Sequence, residues 1–304
     1  MNRKFNDGVW PVMLTPFTDE NKVDYIGLEK LVNWYIDNGV AGLFSVCQSS
    51  EMFFLTLEER VEIARSVKKF AAGKVPVIAS GHVSDNAEEQ VAEINAIAQT
   101  GVDAVILITN RLAKENESDD IWLENLQKLL ENIDKEIPLG FYECPYPYKR
   151  VMSAKTTEWC AKSGRFYFLK DTSCDIENIK MKLNIIKDTN LRLYNANVTT
   201  LLESMKLGAA GFSGVMANFH PELYVYLCNQ FEDPAVLRLS DQLTLLSLIE
   251  RQYYPVNAKY YLSTHGLGIG THCRTRSSSG MTDTFKMEVE SLARISEELN
   301  KTYS

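Results

Sequence analysis

The sequence predicts a (β/α)8 barrel with additional C-terminal helices, on three observations. Short β-branched and aromatic runs alternate with longer amphipathic stretches through residues 1–220. The short runs are apolar on both faces, as in parallel strands covered by helices on either side. At Asn38-Gly39-Val40, Thr100-Gly101-Val102 and Leu207-Gly208-Ala209 a glycine falls just past a helix and just before a buried strand. A left-handed residue is what ends a helix at such a junction. Eight units of this kind close most naturally into a barrel, although a doubly wound open sheet shares the grammar.

The elements follow in order. Residues 9–15 read as a strand, and 24–38 as a helix with Ile26, Leu28, Leu31, Val32 and Ile36 on its apolar face. A strand is expected at 43–46, then a helix opening at Thr56, whose hydroxyl and Glu59 form a capping box. Strand and helix then alternate: 75–80 and 84–99, 103–108 and 119–133, 138–142 and 153–162, 165–170 and 175–187, 191–194 and 198–206, with a last strand at 209–213. Residues 221–304 read as mostly helical, at 221–231, 234–252, 257–265 and 282–300. They supply the eighth helix and about three more, packed on the barrel core of residues 1–220 as part of the same single domain.

The chain has 304 residues, with 32 Lys+Arg against 40 Asp+Glu and a net charge of −8. That balance argues against an electrostatic grip on nucleic acid or an anionic membrane surface. No stretch approaches the roughly 18 apolar residues of a membrane span, and the first ten residues hold no signal-peptide core. Six cysteines lie scattered without CxxC spacing, so they read as reduced, mostly buried thiols of a cytoplasmic protein. Cys47, Cys144, His82 and His220 have no metal-ligand spacing, and no metal is expected.

Barrel active sites lie at the C-terminal ends of the strands. The candidates there are Thr15, residues 47–51, Ser80-Gly81-His82, Thr109-Asn110-Arg111, Tyr142-Glu143, Lys170-Asp171, residues 195–197 and Ser213-Gly214. Lys170 ends the apolar run Phe166-Tyr167-Phe168-Leu169, where desolvation disfavours the ammonium. A neutral amine there is the nucleophile a ketone needs to form a Schiff base; taken alone, it also fits a lysine snorkelling to solvent. Tyr142 ends the fifth strand, where a phenol relays protons or simply packs. Gln48-Ser49-Ser50-Glu51 offers hydroxyls and loop N–H groups that suit a carboxylate, or forms an ordinary polar loop. His82 reads either as a substrate contact or as a structural hydrogen-bonder.

Taken together, these elements resemble the dihydrodipicolinate synthase / N-acetylneuraminate lyase family of pyruvate-dependent class I aldolases. The similar segments are Val12-Met13-Leu14-Thr15-Pro16-Phe17, the loop at 47–51 with its following helix, Tyr142-Glu143-Cys144-Pro145, Lys170-Asp171-Thr172-Ser173 and residues 211–218. The resemblance implies a Lys170 imine with a 2-keto acid, with Tyr142 transferring protons. It places Gln48, Ser49 and Ser50 on the keto acid's carboxylate, with Ser213 and Asn195 also lining the substrate site. No organic cofactor is implied, and the family's usual assembly is a homo-oligomer, a tetramer or dimer.

The departures bear on the substrate. Gln48 replaces the family's first loop hydroxyl, and Ser50 its glycine. Pro147 stands in the register of an arginine of dihydrodipicolinate synthases, and Thr109-Asn110-Arg111 where they carry an aromatic pair. Asn195-Ala196-Asn197-Val198 replaces the acidic stretch of N-acetylneuraminate lyases. The expected activity is therefore a lyase acting on a C–C bond next to a 2-keto acid such as pyruvate, with an aldehyde as second substrate. Its rivals are condensation of pyruvate with aspartate semialdehyde and a non-catalytic keto-acid-binding barrel.

Overall fold

The structure, a computed structural model, describes residues 5–303. Its strands are β1 (Gly8–Val9), β2 (Leu43–Ser45), β3 (Val77–Ala79), β4 (Ala104–Ile108), β5 (Leu139–Tyr142), β6 (Phe166–Asp171), β7 (Arg192–Asn195) and β8 (Gly211–Phe212). Between and after them come α1 (Tyr25–Asp37), α2 (Leu57–Ala71), α3 (Ala87–Ala98), α4 (Asp119–Glu131), α5 (Ala154–Ser163), α6 (Ile176–Ile186), α7 (Leu201–Lys206) and α8 (Pro221–Asn229). The chain ends in α9 (Val236–Leu246), α10 (Glu250–Tyr253), α11 (Val256–Thr264) and α12 (Asp283–Tyr303).

All strand pairs are parallel, in the order β1-β8-β7-β6-β5-β4-β3-β2. The ring closes through a parallel bridge between Val12 and Phe44, with Met13 N–H donating to Phe44 O at 2.9 Å. The architecture is thus the barrel the alternating pattern predicts, and the open sheet is set aside. Glycines 39, 101 and 208 take φ of +78°, +82° and +99°, the left-handed backbone expected at those junctions.

Aromatic rings fill the barrel's interior. Phe168 stacks on Tyr194 at 4.2 Å, and Trp10 meets both rings edge-on at 5.3 and 5.6 Å. Phe44 closes against Phe168 at 6.2 Å and against Tyr142 at 5.9 Å. The barrel is therefore a packed core with a floor of rings, above which polar residues gather.

Several boundaries differ from the periodicity, the third helix, for example, opening at Ala87 instead of 84 with Asn86 as its cap. The first strand, expected over 9–15, is only Gly8–Val9 plus the bridge at Val12, because Pro11 has no N–H to donate to a ladder. The seventh helix begins at Leu201, not 198, since Thr200 takes non-helical dihedrals and its side chain binds Asn197. The expected helix at 234–252 breaks into α9, a 3-10 turn at Ser247–Ile249 and α10. Among the described residues no helix is long and apolar enough to cross a membrane.

Candidate active site

Tyr142 and Lys170 are direct partners in the β5–β6 ladder, so strand alternation points both side chains the same way. The Lys170 Nζ lies 4.0 Å from the centre of the Tyr142 ring. Lys170 is buried and forms no hydrogen bond or ion pair among the described residues. Burial pulls its pKa down to about 8, against weaker upward pulls from Cys47, Cys144 and Glu250. At pH 7 about one such amine in ten is neutral, roughly 300-fold more than for an ordinary lysine. Burial pushes the Tyr142 phenol well above its usual range, so it stays protonated and able to donate.

The loop after β2 stands opposite. Val46 there has φ of +49°, a left-handed conformation that is strained for a β-branched residue and turns the chain abruptly out of the strand. A 3-10 turn follows at Gln48–Ser50. The Gln48 Oε1 accepts from the Tyr142 hydroxyl at 3.3 Å and from the Cys144 thiol at 3.4 Å. Its amide nitrogen is left without a partner among the described residues. Ser49 lies close enough to Tyr254 to lower the pKa of its phenol, against the larger upward push of burial, and the Tyr254 hydroxyl accepts from Asn218 Nδ2 at 3.1 Å.

The candidate residues thus divide. Lys170, Tyr142, Gln48 and Ser49 converge at one end of the barrel. Ser50, Ser213 and Asn195 turn their side chains into the scaffold. The Ser50 hydroxyl donates to Met13 O at 2.6 Å and accepts from Cys47 N–H at 3.0 Å, which shapes the loop. Ser213 Oγ donates to Trp10 O at 2.9 Å, tying β8 to the β1 segment. Asn195 Nδ2 donates to Thr200 Oγ1 and Ser204 Oγ at 2.9 and 3.0 Å, while its Oδ1 accepts from Asn197 N–H at 2.8 Å. His82 is buried, its Nδ1 accepts from Ile108 N–H at 3.1 Å, and burial lowers its pKa to about 4. Among the described residues no cluster of three or more His, Cys, Asp or Glu side chains is placed to hold a metal ion.

Sequence reasoning missed four contributors. Tyr254 reaches Ser49 from the segment between α10 and α11. Glu250, at the start of α10, adds a negative charge within electrostatic reach of Lys170, and its own pKa is raised by burial. Lys259 pairs in the interior with Glu51 of the candidate loop at 2.8 Å, which fixes the turn carrying Gln48 and Ser49. Lys182 lies buried between Glu143 and Asp171. Only the last left a signal: a lysine in register with Ile179, Leu183 and Ile186 on the apolar face of a helix.

A parallel barrel with a buried, partly neutral amine near the end of its sixth strand fits the class of imine-forming lyases. The model of the dihydrodipicolinate synthetase family matches residues 5–294, and the chain belongs to that family. The 4-hydroxy-tetrahydrodipicolinate synthase of Methanococcus aeolicus is 30% identical over 223 residues, 73% of this chain and 74% of that one. The protein of the same name from Staphylococcus haemolyticus is 30% identical over 218 residues, 71% of each chain. Among solved structures, the chloride-inhibited dihydrodipicolinate synthase of Acinetobacter baumannii complexed with pyruvate superposes with a TM-score of 0.85. It is 22% identical, over 96% of this chain and 99% of that one, a likeness of fold. The protein is therefore a lyase of the pyruvate-dependent, Schiff-base aldolase class.

Proposed function

We propose that Lys170 is the imine-forming residue and that pyruvate or a close 2-keto acid is its partner. The neutral amine adds to the keto carbon, and the carbinolamine loses its hydroxyl as water to leave the imine. Loss of a proton from the adjacent methyl carbon to the Tyr142 phenolate, left when the phenol protonates the departing hydroxyl, gives an enamine, whose carbon attacks an aldehyde carbonyl. Tyr142 supplies the proton to the carbinolamine hydroxyl and to the new alkoxide, and hydrolysis of the product imine frees Lys170. The Ser49 hydroxyl, the Gln48 amide and the loop N–H groups hold the carboxylate, which orients the keto carbon and supplies rate by proximity. In reverse the same groups cleave the C–C bond.

One observation carries this reading: a buried lysine without an acidic partner, 4.0 Å over the ring of a protonated tyrosine. The name shared by the relatives favours a second reading for the acceptor, aspartate semialdehyde. We assign the protein to the cytoplasm, in keeping with its six free cysteines, and to a homo-oligomer.

Incubation with pyruvate and borohydride, followed by mass mapping, tests the proposal. An adduct on Lys170 that disappears in Lys170→Ala is the expected result. An unmodified chain that still binds pyruvate would make it a keto-acid sensor. Tyr142→Phe should still bind pyruvate while exchanging its methyl protons ~10²-fold more slowly; undiminished exchange would remove the phenol from the mechanism. A panel of aldehydes, aspartate semialdehyde included, then identifies the acceptor.

A further inference from the structure

We infer that the buried cluster Lys182–Glu143–Asp171 holds Lys170 and Tyr142 opposite one another, which makes Lys182 a positioning residue for the imine chemistry. The inference rests on the role proposed above for Lys170 and Tyr142.

Glu143 and Asp171 each follow a proposed reactive residue by one position, so strand alternation sends their side chains to the other face, toward α6. There Lys182 enters from the buried face of α6 and contacts both carboxylates, at 2.6 Å in the case of Asp171 Oδ2. All three side chains are 0% exposed.

The cluster extends the β5–β6 connection beyond the point where the ladder ends. The ladder's last pair is Tyr142 with Lys170. Past it, Glu143 N–H donates to Lys170 O at 3.2 Å, and Thr172 Oγ1 donates back to Glu143 O at 2.6 Å. The Glu143 carboxylate also accepts from Thr172 N–H at 2.9 Å and from Met152 N–H at 2.8 Å. Asp171 Oδ1 accepts from Ser173 N–H and Oγ at 2.9 and 2.7 Å. Every carboxylate oxygen has a partner, and both loops that leave the site are gripped by the same two acids.

Stability alone is a poor reason for such a cluster. Two acids and one base taken out of water cost more than apolar packing of the same volume. What a satisfied buried network supplies is a single geometry. That geometry lies directly behind the two side chains whose separation decides whether an amine, a ketone and a phenol line up.

Exchange of the pyruvate methyl protons into deuterated water, read by NMR, tests this with pyruvate as the only substrate. The variants are Lys182→Met and Glu143→Gln, the second leaving a balanced Lys182–Asp171 pair. A folded variant should exchange at least ~10-fold more slowly at saturation, with half-saturation by pyruvate moved less than about threefold. A merely structural role would lower the melting temperature and leave the saturated rate per folded molecule unchanged. A folded variant exchanging at the wild-type rate overturns the inference, as does failure of both variants to fold. Absence of exchange and adduct in the wild-type protein would instead refute the proposed imine, so the two failures are distinct.

Discussion

An amine that must lose its proton before it reacts carries a pH signature. With the Lys170 pKa lowered to about 8 by burial, the reactive fraction grows about tenfold per pH unit below that value and levels off above it. Methyl-proton exchange at subsaturating pyruvate should follow this curve. Continued increase to pH 10 would mean an unperturbed lysine and an open, wet site. Lys170 and Tyr142 were legible in the sequence because each ends an apolar run, and position at a strand end is set by local pattern. Asn195 and Ser213 occupy the same kind of position, yet their side chains hydrogen-bond scaffold groups. The direction of one side chain at a strand end depends on its partners in neighbouring loops, here Thr200, Ser204 and Trp10. No local pattern contains those partners.

At the scale of elements, caps and junctions were the most readable features. Thr56 and Glu59 close the capping box at the start of α2, with Glu59 N–H donating to Thr56 Oγ1 at 3.2 Å. Both halves of that motif lie within one turn of chain. The interruption of the first strand follows from Pro11, a signal the apolar run around it masks, whereas the broken helix after residue 234 was not readable, because tertiary contacts decide it. The β1–β8 seam is the tightest example. At Gly211, φ is +156° and an added Cβ would lie 1.8 Å from Gly8 O. Gly211→Ala must therefore push the two strands apart where the ring is shortest. It should destabilise the protein by ~3 kcal/mol or more in denaturant titrations. A loss below ~1 kcal/mol would show that the seam can open without harm.

The whole molecule is held together by contacts between distant parts of the chain. Lys259, on α11, reaches back 208 residues to Glu51 and also donates to His272 O at 2.7 Å. The other Glu51 oxygen accepts from the backbone N–H groups of Arg274 and Thr275 at 2.6 and 2.8 Å. Arg274 further pairs with Glu59 at the start of α2 at 2.7 Å. The residues beyond 220 read from the sequence as an eighth helix and an appendage, and nothing in their periodicity announces that they brace the loop after β2. Lys259→Met would leave a buried carboxylate unpaired, with an expected cost of ~3–5 kcal/mol. Calorimetry of the parent protein should show a single transition, with barrel and C-terminal helices melting together. Two separated transitions would uncouple them.

The brace on Glu51 also sets an order of events in the making of the protein. A ribosome delivers the eight strands well before Lys259 and Arg274 leave the exit tunnel, so the turn at Gln48–Ser50 must wait for its anchor until after the strands are made. On the proposed assignment of that turn to the substrate carboxylate, competence to capture a substrate arrives last, with the tail.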